Sequence, residues 1–430
     1  MSERWGRDHV LTLAPDASSG RAAGVVAKPA KWAGLGCCAE AVWGECQGGG
    51  RGLYRVSVEL SEPAYRCSCP SRKIPCKHAL GLLLLWSDGS VPDGVAPGWV
   101  GEWLATRTAR TARTERPVGG TARKPDAKTV ERRERRVDDG VDELDRWLRD
   151  QVTHGLAQAE KASYRLWDDA ARRLVDAQAP GLAGQVRSLA ALPQRHTSWP
   201  ERLLAEYALL HLLVQAHRRR AGLPEPLRQT IRSRIGFTVP QDEVLRGDGV
   251  RDRWYVAGAV DSERDNLITR RVWLRGHESG RPALVLSFGA PGRALDTSLI
   301  VGTTLDADLA YYPGAQPLRA LIVERHGPAA LDEPPAGMTI QGLLGEYATA
   351  LSRDPWLDRW PALLSGVRPA RHEGQWHLVD DEGDAIPLIS YDPWRLLATS
   401  GGAAITVAGE WTPGGLLPLS AWHDEGPVIL

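Results

Sequence analysis

A chain of 430 residues is long enough for two or three domains. Its 53 basic and 53 acidic side chains cancel, which excludes a protein that coats nucleic acid with its whole surface. No apolar run approaches the ~20 residues of a bilayer crossing, and the charged start Met1-Ser-Glu-Arg-Trp-Gly-Arg-Asp-His9 has no apolar signal core, so a soluble cytoplasmic protein without a membrane partner is expected.

The cancellation is uneven. Residues 1–105 carry 11 basic and 10 acidic side chains, residues 106–136 carry 11 and 4, and the remainder carries 31 and 39. A basic strip therefore separates a neutral N-terminal part from an acidic body. Seventeen Trp against two Phe make indoles the main aromatic packing groups.

In chain order, residues 1–30 read as polar and irregular, apart from His9-Val-Leu-Thr-Leu-Ala14, which suits a strand or a docking segment. Residues 41–43 and 53–60 read as a β-hairpin across Gly48-Gly49-Gly50, with Val56, Val58 and Leu60 on one face. Cys37, Cys38 and Cys46 lack a fourth ligand at a sensible spacing and are expected to be buried thiols.

The run Cys67-Ser-Cys69-Pro-Ser-Arg-Lys-Ile-Pro-Cys76-Lys-His78 holds three cysteines and a histidine in twelve residues. Zinc takes four such ligands in a tetrahedron. In an extended chain residues i and i+2 point the same way, so Cys67 and Cys69 can offer two sulfurs to one point. Pro70 and Pro75 restrict the excursion that returns Cys76 and His78. The apolar stretch 79–86 then predicts a short helix ended by Gly89, with His78 at its first turn. A disulfide would need an oxidising compartment. Zn2+ is the expected occupant, and four protein ligands make its site closed and structural.

The pattern C-x-C-x6-C-x-H, a hairpin before it and a helix after it resemble the SWIM zinc finger over residues 30–90. Trp43-Gly-Glu-Cys-Gln47 and Cys69-Pro-Ser-Arg-Lys73 are similar to runs in bacterial SWIM-domain proteins. The resemblance implies zinc on Cys67, Cys69, Cys76 and His78, and nucleic acid or protein as partner.

Beyond the finger, Trp99, Val100, Trp103 and Leu104 fit a short helix packed on it. Residues 106–136 repeat Arg107, Arg110, Arg113 and Arg116 and offer no apolar face, so a disordered basic linker is expected. That arm, with Arg66, Arg72, Lys73 and Lys77 of the finger, is the candidate phosphate-contacting surface. Residues 137–237 predict a bundle of five helices, among them 157–176, 182–192 and 224–235, with Leu144, Trp147, Leu148, Tyr207 and Leu210 in its core. His154, His211 and His217 are expected to be surface or satisfied interior groups. Residues 238–430 predict a β-rich module of unnamed fold, with strands near 254–260, 267–274, 283–288, 298–301, 318–323, 375–379, 386–389 and 404–407 and helices near 340–351 and 391–398.

The fold class expected is thus multidomain α+β: finger module 1–105, linker 106–136, bundle 137–237 and β-rich module 238–430. No enzyme is expected. The chain has no G-x4-G-K-[ST] and no G-x-S-x-G, and His372-Glu-Gly-Gln-Trp-His377 spaces its histidines by five rather than four. Asp380, Asp381 and Glu382 fall in a solvated turn, and Asp306 and Asp308 could line a pocket. The expected function is a structural finger that binds nucleic acid, DNA foremost, or protein. A protein adaptor in a cytoplasmic assembly and an unfamiliar enzyme in the C-terminal half are the alternatives.

Overall fold

The computed structural model describes residues 4–14, 17–38, 40–47, 52–60, 64–71, 73, 75–104, 127–156, 159, 165–195, 198–264, 267–289, 295–389, 392–423 and 426–430. The mixed α+β class holds. Three units follow one another: a sheet with helices, a helical bundle and a β-rich body.

In the first unit, β1 (Trp32–Cys37), β2 (Ala41–Gln47), β3 (Leu53–Glu59) and β4 (Ala64–Cys67) form an antiparallel sheet in sequence order. Two helices, α1 (Arg7–Thr12) and α2 (Ala17–Val26), precede it, and α3 (Lys77–Ser87) follows. Every residue of α3 from His78 to Trp86 is buried. A helix that is apolar all round must be covered all round. The sheet covers one side through Val42, Val56 and Val58, and α1 and α2 cover the other through Val10, Ala23 and Val26. The N-terminal stretch is therefore helical, not irregular, and the 9–14 run is no strand. Four residues of alternation are too few to outweigh the packing of Val10 and Trp5, whose indole meets Trp86 edge-on at 5.6 Å. Gly81 makes the closeness of α2 possible, since a Cβ there would lie 2.7 Å from Val26 Cγ2. The expected helix over 98–104 is present, and Val100 packs on Ala41 and Trp43.

The bundle comprises α4 (Ala127–His154), α5 (Arg165–Asp176), α6 (Pro180–Leu189), α7 (Trp199–Arg218) and α8 (Glu225–Ile235). Trp147, Trp167 and Tyr207 meet pairwise at 5.7–6.1 Å and join α4, α5 and α7. The linker expected over 106–136 is corrected at its end: residues 127–136 are the first turns of α4, while 106–126 lie outside the described residues. No apolar stripe announces those turns. Arg133 and Arg232 instead lie over the Phe237 ring, and Glu134 takes a 2.5 Å hydrogen bond from Arg232.

The C-terminal body repeats one connection order. In the first half β5 (Val250–Arg264) pairs β8 (Thr303–Tyr311) along its start and β6 (Leu267–Gly276) along its end, with a bulge between Val256 and Gly258. Here β7 (Pro282–Gly289) follows β6, and β9 (Ala320–Arg325) and the short β10 (Ala330–Leu331) pair β8. A parallel bridge between Leu284 and Arg319 closes the ring. After α9 (Ile340–Arg353), the second half uses β11 (Trp360–His372), β12 (Gln375–Val379), β13 (Ala385–Pro387), α10 (Trp394–Ser400), β14 (Ile405–Thr412), β15 (Gly415–His423) and β16 (Gly426–Ile429). Again the first strand pairs the fourth along its start and the second along its end, with a register shift between Leu364 and Val367. A parallel bridge between Leu388 and Leu416 closes it. Both halves have the strand connectivity of a five-stranded, partly open OB-type barrel.

Residues 298–301 are not the strand expected; they lead into β8, and Ile300 is buried in the core of the first unit. The barrels meet where Gly258 faces Leu419. Buried Glu410 there accepts hydrogen bonds from Arg271, Arg359 and the Trp273 indole N–H at 2.9–3.2 Å.

Candidate metal centre

Cys67 ends β4, Cys69 lies two residues on, Cys76 is the N-cap of α3 and His78 falls in its first turn. Strand end and helix start thus deliver the four groups sequence reading singled out. Their ligating atoms all lie within 4.8 Å of one another. Cys67 Sγ stands 3.8 Å from His78 Nδ1, and Zn–S and Zn–N bonds in a tetrahedron would set that edge at about 3.6 Å. All six cysteines are free thiols.

The electrostatics suit a cation. Cys76 is held down to about 4, first by the hydrogen bond from Cys67, then by His78 and by the backbone N–H groups of Ala79 and His78. Those N–H groups belong to the open start of α3, where negative charge is favoured. Sharing a proton with Cys76, and then burial, pushes Cys67 up, and burial pushes Cys69 up. Three thiols crowded in a half-buried corner cannot all ionise without a positive charge among them. A divalent, thiophilic ion removes that conflict, and the soft Cys3His set fits zinc.

Residues 54–86 match the SWIM zinc finger, and residues 132–235 match the SWIM-associated four-helix bundle domain. The chain carries a SWIM zinc finger. No curated protein and no solved structure matches the chain. The finger implies Zn2+, which Cys67, Cys69, Cys76 and His78 would hold with no position left for substrate.

A cleft of about 420 Å³ opens beside the SWIM ligands, lined by Tyr54, Cys69, Lys73, Lys77, His78 and, from α2, Ser18. Tyr54 packs its ring on His78 at 5.0 Å. Sequence reading named Lys73 and Lys77 but missed Tyr54 and α2. The apolar surround of α3 was the signal that something covers its far side. Arg66 donates to the Trp99 carbonyl at 3.4 Å, and Arg72 lies outside the described residues.

The remaining candidates separate. Cys37 hydrogen-bonds Asp93 at 3.4 Å, and Cys46 is buried; neither joins a metal cluster among the described residues. His372 and His377 sit on the β11–β12 hairpin, not on a helix. Asp380, expected in a solvated turn, is buried and accepts from the N–H groups of Ile340, Glu382 and Asp384 at 3.0–3.1 Å, so its carboxylate is spent on the backbone. Asp306 pairs with Arg251, and Asp308 with His326 at 2.7 Å.

Proposed function

We propose that the SWIM finger is a nucleic-acid-binding module, DNA foremost, whose zinc is structural and whose chain performs no turnover. The observation that carries the reading is the cleft against the zinc ligands. Lys73 and Lys77 supply positive charge there, and Tyr54 supplies an aromatic face fixed by His78. Charge for phosphates and a ring for a base or sugar are the two groups that nucleic-acid clefts combine. The ion acts indirectly, by holding β4 and the start of α3 so that the lysines share one concave face.

A salt titration of binding to labelled single- and double-stranded DNA and RNA tests this. The zinc-loaded protein would be measured beside Lys73→Ala/Lys77→Ala and Cys76→Ser. Steep salt dependence is expected, with a slope reduced by about 1.8 in the lysine variant and binding strongly weakened in Cys76→Ser. Absence of binding at low salt would overturn the reading and leave the finger as a protein-docking unit.

A further inference from the structure

We infer that the bundle carries a second phosphate-binding groove, one that grips the nucleic-acid backbone without reading bases. The inference rests on the nucleic-acid reading above but on a different surface. A groove of about 770 Å³ lies between the start of α4 and the end of α8, lined among others by Arg132, Arg133, Arg136, Arg232 and Phe237. Against four guanidiniums the lining holds one carboxylate, Glu243.

The arginines divide into two kinds. Arg133 and Arg232 are held: both lie over the Phe237 ring, at 4.4 and 4.0 Å from its centroid, and Arg133 also donates to the Gly236 carbonyl at 3.3 Å. Arg232 is further tied to Glu134. Arg132 and Arg136, one helical turn apart on α4, are exposed and have no ion pair or hydrogen bond among the described residues. On the same helix Arg135 and Arg149 are, by contrast, paired, with Glu131 and Asp145. Two fixed and two free guanidiniums around one concavity suit an anion that accepts several hydrogen bonds, and phosphodiester oxygens do so.

The aromatic group decides how such a strand is read. Phe237 is already engaged by two guanidiniums, and the groove's other charged groups suit phosphates rather than base edges, so the contact assigned to it is with the backbone.

The test uses the full zinc-loaded chain and labelled DNA of several unrelated sequences. Arg132→Ala/Arg136→Ala is compared with wild type, with the lysine pair variant of the finger and with Arg132→Lys/Arg136→Lys. Two lost phosphate contacts should lower the salt slope by about 1.8 and weaken binding roughly tenfold at low salt, equally for every sequence. The lysine replacements at 132 and 136 should retain the slope, and none of these exposed changes should move the melting temperature. If wild type binds and Arg132→Ala/Arg136→Ala binds with the same slope, the groove is wrong while the finger reading stands. If wild type does not bind, both fall.

Discussion

His217 lies inside the bundle, 2% exposed, with Nε2–H donating to Asp138 at 2.7 Å and Nδ1 without a hydrogen-bond partner among the described residues. Burial pushes its pKa below the ordinary 6.5, with Asp138 opposing. As pH falls through about 6.5 the unfolded chain takes up a proton that the folded chain still refuses. Stability therefore falls with pH from that point until the depressed folded pKa is passed, by at most about 1.4 kcal/mol per pH unit. His277 in the first barrel is depressed by burial too and acts in the same window. His217→Gln, which can still donate to Asp138, should flatten the pH dependence of unfolding followed by far-UV circular dichroism. Equal slopes for variant and wild type would contradict the assignment. The sequence placed His217 among unremarkable histidines because its partner lies 79 residues away, on another helix.

At the scale of elements, the finger was legible because its chemistry is local. Four ligands within twelve residues, alternation in β3 and an apolar α3 each show in a short window. What escaped was the cover. Trp5, Val10, Ala23 and Val26 mean little alone and become a core only against Leu80, Leu83 and Leu84. That cover also limits what zinc must do. The first unit buries a core of its own, unlike small fingers that fold only with metal. Removing the ion should loosen the joint rather than dissolve the unit. Chelation or Cys76→Ser is expected to raise amide exchange most over residues 64–80, less over β2 and β3, and not in α4–α8. Exchange that rises evenly over residues 32–87, or not at all, would show that the metal holds more, or less, than this joint.

Across the whole molecule, the β-rich body was legible as strands but not as two barrels. The duplication resides in pairing: each first strand changes partner at a bulge, and each ring closes through one parallel bridge. No window of sequence displays that. The same long-range contacts join the units. Ile300 of the body is buried with the finger, while Trp356 enters the bundle core and donates from Nε1 to the Leu209 carbonyl at 3.0 Å. Asp354 takes a 2.9 Å ion pair from Arg234 beside it. The bundle and barrels should thus unfold together although each has its own core. Truncating Trp356 removes a large buried side chain and leaves a cavity, a change that costs about 3–5 kcal/mol. Its cost here falls on the junction. Trp356→Ala should split one calorimetric transition into two, whereas Trp356→Phe keeps most of the packing, loses a hydrogen bond worth about 1 kcal/mol, and should leave a single transition at lower temperature. A single, unshifted transition for Trp356→Ala would mean that the bundle and barrels are not coupled through this side chain. A dissected version of the protein must respect the same continuity: cutting after residue 136 would sever α4, and the break that spares every described element falls between residues 104 and 127.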